Sequence, residues 1–117
     1  MITPALQSFI SRHRLPESYL SMAEKWFSPI LSEFGEHYGR EQSIQIIGVN
    51  GCQGSGKSTL ADYLCTQVKL QYGAATVSLS LDDFYLTKAE RTTLAHDVHP
   101  LLAVRGVPGT HDIALAI

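Results

Sequence analysis

The sequence predicts an α/β fold, a three-layer arrangement around a parallel sheet preceded by N-terminal helices. Three observations carry this. Ile44-Gln45-Ile46-Ile47-Gly48-Val49 is short, β-branched and nearly continuous in apolar residues, as a strand buried on both faces requires. A glycine-rich stretch, Gly51 to Gly56, leads into Leu60, Ala61, Leu64 and Val68, which recur at helical spacing up to Gly73, a residue suited to ending a helix. Ala75 to Leu81 then reads as a second strand. Strand, helix, strand is a βαβ unit with an expected right-handed crossover. Two strands make an incomplete sheet, and His111 to Ile117 reads as the first turns of another helix. The expectation is the N-terminal part of a longer chain.

Before the first strand the pattern is helical, and residues 1–42 are set apart from residues 43–117 as a separate segment. Pro4 suits the start of a short helix through Leu6, Phe9 and Ile10. His13-Arg14-Leu15-Pro16 reads as a turn, because the residue before proline avoids the helical region. Pro16 suits the start of a second helix, with Glu17 in its first turn. Tyr19, Leu20, Ala23, Phe27, Ile30, Leu31 and Phe34 make one apolar stripe that packs on the rest of the domain. Pro29 inside the stripe predicts a kink or break near Ser28, and Gly35 and Gly39 loosen the end. Neither Trp26 nor His37 carries recognisable chemistry. Beyond the second strand, Thr87 with Glu90 three residues later forms a capping-box pattern for a helix to Ala95. Pro100, Gly106, Pro108 and Gly109 mark a loop.

Composition removes several classes of function. The chain has 117 residues, 44% hydrophobic and 17% charged, which suits one globular domain and not a disordered chain. A net charge of −2 gives no basic field for a nucleic-acid backbone or an anionic membrane. Cys52 and Cys65 form neither a disulfide framework nor a C-x-x-C pair. No apolar run reaches the roughly 18 residues of a membrane span, and no signal peptide is visible. The expected setting is the cytoplasm, with no nucleic-acid or membrane partner. Oligomeric state is not legible.

Gly51-Cys52-Gln53-Gly54-Ser55-Gly56-Lys57-Ser58 fits the phosphate-loop pattern G-x-x-x-x-G-K-[ST] at every position. From average composition, a random chain this long would match about 0.4% of the time. The predicted strand before it and helix after it are the expected context. This makes the fold a P-loop NTPase fold and the cofactors ATP and Mg²⁺. Glycines let successive N–H groups turn inward into an anion-binding concavity, and the helix adds its positive end. The candidate nucleotide-binding residues are Gly51, Gln53, Gly54, Ser55, Gly56, Lys57, Ser58 and Thr59. Lys57 reaches the β- and γ-phosphates, and Ser58 places its hydroxyl on Mg²⁺. Thr59 bonds phosphate or the helix backbone. Cys52 reads as an ordinary loop residue.

Asp82 and Asp83 close the second strand, so they fall on the same sheet edge as the loop, where ligands of open α/β sheets bind. One carboxylate can accept the proton of an attacking hydroxyl, and the other can hold a metal-bound water. Asp83 could equally cap the next turn. The loop followed by Ser80-Leu81-Asp82-Asp83-Phe84-Tyr85 resembles the P-loop kinases of small metabolites, the group of uridine kinase, phosphoribulokinase and pantothenate kinase. Asp82-Asp83-Phe84-Tyr85-Leu86-Thr87 and Arg105-Gly106-Val107-Pro108-Gly109-Thr110-His111-Asp112 resemble the D-glycerate 3-kinase branch and related microbial ATP-binding kinases. The likeness runs from about Ile46 to Ile117.

The resemblance implies phosphoryl transfer from ATP to a hydroxyl of a small metabolite, glycerate foremost. It implies Lys57 and Asp82 as catalytic residues, with Asp82 the base. Asp83, Tyr85, Arg105, His111 and Asp112 then face the acceptor, with Ser58 and Asp83 at the metal. Arg105 suits a carboxylate or phosphate, and His111 and Asp112 suit hydroxyls. A surface salt bridge for Arg105 and a cap or buried hydrogen bond for His111 stand as alternatives. Family members are longer: further strands, an acidic metal site, a lid and the adenine contacts follow in them. A nucleotide-binding module without transfer, and a kinase for a nucleoside, pantothenate or a sugar phosphate, remain open alternatives. His96 and His99 are three apart but lack a third ligand, so no metal site is assigned to them.

Overall fold

A computed structural model describes residues 2–41 and 43–117. The chain forms two compact units, Met1–Ser78 and Leu79–Ile117. The expected segment boundary at residue 42 lies outside the described residues.

The first unit is built from three helices. α1 spans Pro4–His13, with the Thr3 side chain accepting from the Leu6 N–H and Pro4 in the first turn. It ends at Arg14, whose φ of 52° turns the chain left-handed. The Leu15 N–H reaches back to the Ile10 carbonyl at 3.0 Å and closes that end. α2 spans Ser18–Glu41 and runs through Pro29 without a break. It starts two residues later than Pro16 predicts, and Glu17 stays outside it. Proline removes one helical hydrogen bond, but the apolar stripe on both sides of it is held by packing, which carries most helical stability in a folded protein. α3 spans Lys57–Tyr72 and stops at Gly73 (φ 64°), as its sequence predicts.

α3 packs against both α1 and α2. The core is Phe9 and Ile10 of α1, Ala23 and Leu31 of α2, Tyr63, Leu64 and Val68 of α3, and Ala74. Tyr63, 1% exposed, is its centre. The rings of Phe9, Phe27 and Tyr19 lie 5.8, 6.0 and 6.5 Å from it. Such tilted pairs contribute about 0.5–1.5 kcal/mol each beyond simple burial. Gly35 of α2 admits the Tyr72 ring, whose hydroxyl donates to the Leu31 carbonyl at 3.0 Å.

The expected parallel sheet is not formed, and the α/β P-loop NTPase class is overturned. Every regular element among the described residues is helical, and the β pairing present is a single isolated bridge, Tyr85 to His111. Residues 43–50 and 73–80 are irregular chain. Ile44 and Ile46 are 95% and 93% exposed. Val77 and Leu79 are exposed as well. The physical reason lies in where the hydrogen bonds come from. A helix satisfies its own N–H and C=O groups, whereas a strand depends on a neighbour and on a covering layer. α3 buries its apolar face against α1 and α2, so neither stretch has that layer.

The second unit is smaller. A 3-10 turn, Leu81–Phe84, is followed by α4, Lys88–Asp97, whose capping box between Thr87 and Glu90 is complete in both directions. A second 3-10 turn, Pro100–Ala103, packs on α4, and α5 spans Ile113–Ala116. Arg91 ties α4 to its surroundings, donating to the Leu86 carbonyl at 3.2 Å and the Ala103 carbonyl at 2.8 Å. No helix among the described residues is long and apolar enough to cross a membrane.

Candidate functional site

In the first unit, the phosphate-loop pattern folds as a loop that heads α3. The Ser55 N–H donates to the Cys52 carbonyl at 3.1 Å, and Gly54 has a φ of 76°. Gly56 caps the helix with a φ of 93°, which an L side chain resists. Gly51 is needed for space: a Cβ there would lie 2.7 Å from Ser55 Oγ and 3.3 Å from Lys57 Cγ. The Lys57 ammonium curls back over the loop and donates to the carbonyls of Gly51, at 2.8 Å, and Cys52, at 2.9 Å. An ammonium has three donors, so one remains beyond these two carbonyls.

The first helical bond of this end runs from the Leu60 N–H to the Gly56 carbonyl at 2.9 Å. The N–H groups of Lys57, Ser58 and Thr59 precede it and have no partner within the helix. Gln53, Ser55 and Ser58 are exposed. These residues fit a polyphosphate: a loop open to solvent, a helix start with unpaired donors, and a lysine on the loop. Cys52 is exposed and Cys65 half-buried, both free.

Beside the loop stands a cluster that sequence reasoning missed. Asp62 Oδ2 accepts from Arg12 Nη2 at 2.8 Å and meets His13 Nε2 at 2.7 Å. His13 Nδ1 lies 3.5 Å from Thr59 Oγ1. Burial pushes the Asp62 carboxyl up, but the hydrogen bonds and charges of Arg12 and His13 outweigh it and hold the group below the usual carboxylate range. Thr59 and Asp62 are three apart on one helix face, which the helical period shows. Their partners stand 46 to 50 positions away, which no local pattern shows.

The second unit holds the remaining predicted residues. Asp82 and Asp83 are exposed and lie in the 3-10 turn, not at a strand end as expected. Ser80 caps this turn, its hydroxyl accepting from the Asp82 N–H at 3.2 Å. Tyr85, Arg105 and His111 are brought together. The Leu86 N–H donates to the Thr110 carbonyl at 2.8 Å, and the Asp112 N–H donates to the Phe84 carbonyl at 2.6 Å. These two bonds lay the Tyr85 segment against His111. Their rings stack at 4.2 Å between centroids and 25° between planes. The Arg105 guanidinium lies 5.2 Å from the Tyr85 ring centroid, a cation–π contact. Thr110 is fully buried and donates to the Val107 carbonyl at 2.6 Å, which fixes the turn before His111.

The Asp112 carboxylate caps α5, its Oδ1 accepting from the Leu115 N–H at 3.0 Å. His99 accepts from the Leu101 N–H at 3.2 Å, and His96 pairs with Asp97 at 2.8 Å. No group of three His, Cys, Asp or Glu side chains able to hold a metal occurs among the described residues. A Mg²⁺ ion bound mainly through nucleotide oxygens needs no such group.

No family model and no solved structure matches the chain. Two curated proteins do. The chain is 50% identical over 70 residues to the uncharacterized kinase mug58 of Schizosaccharomyces pombe, a match covering 58% of this chain and 25% of that protein. It is 39% identical over 70 residues to the probable ATP-dependent kinase TDA10 of Saccharomyces cerevisiae, covering 56% of this chain and 24% of that protein. The match spans about a quarter of the length of either relative, and both relatives are named as kinases.

Proposed function

We propose that the chain carries the nucleotide-holding and acceptor-binding residues of an ATP-dependent kinase that phosphorylates a hydroxyl of a small metabolite, glycerate being the leading acceptor. One observation carries the reading: a glycine loop bearing its own lysine heads a helix, in a chain whose relatives are named kinases. In the first unit the loop amides and the Lys57 ammonium hold the polyphosphate, and Ser58 offers its hydroxyl to Mg²⁺. Bound Mg·ATP supplies the phosphoryl group and neutralises much of its charge.

In the second unit Asp82 is the candidate base, its exposed carboxylate suited to accept the proton of an acceptor hydroxyl. Arg105, braced by the Tyr85 ring, presents its fork to an anionic group of the acceptor. His111 offers a ring nitrogen to an acceptor hydroxyl. Asp83 stands beside the base as a candidate for a metal-bound water. Most of the acceleration comes from positioning and charge neutralisation.

The test begins with calorimetric titration of Mg·ATP into the chain and its Lys57→Ala variant. Lys57-dependent binding is expected, and its absence in a folded sample would remove the nucleotide reading. Phosphoryl transfer is then measured with the full-length protein on glycerate, a nucleoside, pantothenate and a sugar phosphate. Transfer to glycerate, lost in Asp82→Asn, is the expected result. Binding without transfer to any acceptor would favour a nucleotide-binding module instead.

A further inference from the structure

We propose that the cavity between α1, α2 and α3 is a binding site for a small amino alcohol, a short carbon chain with a hydroxyl at one end and an ammonium at the other. The inference is independent of the nucleotide reading. The cavity has a volume of about 310 Å³. Ligand pockets run from roughly 300 to 1,000 Å³, so only a small molecule fits. Its lining is graded in depth. Leu31 and Tyr63, 4% and 1% exposed, form the floor. Leu6 and Leu20, half-buried, give apolar walls, and the exposed Ser21, Glu24 and Gln71 form the rim.

The floor asks for a hydroxyl. Gln71 Nε2 donates to Gln67 Oε1 at 3.2 Å, and Gln67 Nε2 donates to the Tyr63 hydroxyl at 3.2 Å. Tyr63 and Gln67 both line the cavity, which brings the hydroxyl end of the buried ring to it. The Tyr63 hydroxyl still has its own hydrogen, and no acceptor for it occurs among the described residues. Leaving a buried donor unmet is costly, so an incoming oxygen is favoured there. Ser28, also on the lining, gives its hydrogen to the Glu24 carbonyl and is left as an acceptor. A donor and an acceptor together match a hydroxyl, which does both. Water can meet these two groups, but it leaves the leucines between floor and rim wet, whereas a carbon chain covers them.

The rim asks for a cation. Glu24 is the one charged residue on the lining, and no lysine or arginine joins it. Its carboxylate enters no ion pair among the described residues. An ammonium is drawn to that position and an anion is repelled from it.

The experiment is calorimetric titration of three probes into the chain: aminohexanol, hexylamine, which lacks the hydroxyl, and hexanediol, which lacks the ammonium. Tyr63→Phe and Glu24→Gln are titrated alongside. The expected result is saturable binding of aminohexanol, several-fold tighter than either partial probe. Tyr63→Phe should erase its advantage over hexylamine, and Glu24→Gln its advantage over hexanediol. Added salt should weaken binding to the wild type and not to Glu24→Gln, since an exposed charge pair is screened. Tyr63 is a core residue, so should Tyr63→Phe fold poorly, the wild-type comparison of the three probes and the rim variant decide the matter. The proposal is overturned by an absence of saturable binding in a folded sample. It is overturned equally by an aminohexanol affinity no better than that of either partial probe, or by one that Glu24→Gln leaves unchanged.

Discussion

Gly35→Ala tests whether the α2–α3 contact is set by the lack of a side chain. In an ordinary helix interior this change stabilises by roughly 0.5–1 kcal/mol, because glycine loses more backbone freedom on folding. At this position the new Cβ would lie 2.6 Å from Cε1 of Tyr72. The ring has two responses. It can stay and be compressed, which costs about 1–3 kcal/mol as overpacking. It can instead swing out, giving up its bond to the Leu31 carbonyl, worth about 0.5–1.5 kcal/mol, and its packing on Phe34, with centroids 5.5 Å apart. Either cost exceeds the helical gain, so a net destabilisation of about 1 kcal/mol is expected. Urea unfolding followed by far-UV circular dichroism and by the fluorescence of Trp26, the sole tryptophan, reads it. The decisive arm is the same change in a Tyr72→Leu background. With the ring gone, alanine should stabilise by roughly 0.5–1 kcal/mol. Stabilisation by Gly35→Ala in the wild-type background, or equal effects in both, would refute the account.

Asp62→Asn should reduce the acid sensitivity of the first unit. The Asp62 carboxyl is held below its ordinary value, so its contribution is present above the unfolded value of about 3.9 and is lost as pH falls through the lower folded value. The melting temperature of the wild type should therefore drop further than that of the variant between neutral pH and about pH 3; parallel drops would contradict the pairing. Thr87→Ala removes the hydroxyl half of the α4 capping box and should cost about 1 kcal/mol of helix stability, read as faster amide exchange at Ala89 and Glu90. Arg91→Met leaves the Leu86 and Ala103 carbonyls without their charged donor. A loss of about 1.5–3 kcal/mol is expected, with the second unit becoming protease-sensitive before the first. Unchanged proteolysis would mean that water replaces the guanidinium without cost.

What the sequence made legible was what a segment settles by itself. α3 with its Gly73 stop, the Pro4 start of α1, and the Thr87–Glu90 capping box all depend on residues close to one another in the chain. The apolar stripe of α2 was readable for the same reason. Of the kink or break that Pro29 predicts, the break does not occur: Ala23 and Leu31 lie buried on either side of it in one helix. Ile44 to Val49 and Ala75 to Leu81 carry strand composition, but strand formation needs partners that composition cannot supply. The Arg12, His13 and Asp62 cluster was hidden in another way. Each residue reads as a surface charge, and only the docking of α1 on α3 joins them.

The loss of the sheet bears less on the phosphate loop than it first suggests. In an open α/β fold a strand leads into the loop, and here Ile44 to Val49 is unpaired. Among the described residues the bonds that shape it are nevertheless internal to Gly51 through Leu60: Ser55 to Cys52, Lys57 to Gly51 and Cys52, Leu60 to Gly56. The glycine at 51 is demanded by Ser55 and Lys57, both within the same stretch. α3, which the loop heads, is anchored by Tyr63, Leu64 and Val68 in a helical core that uses no strand. The loop end of α3 therefore depends on α1, α2 and α3. Substituting Ile44 and Ile46 together by threonine should leave phosphate affinity unchanged, whereas opening the core at Tyr63 should abolish it. Equal loss in both would show that the extended segment supports the loop after all.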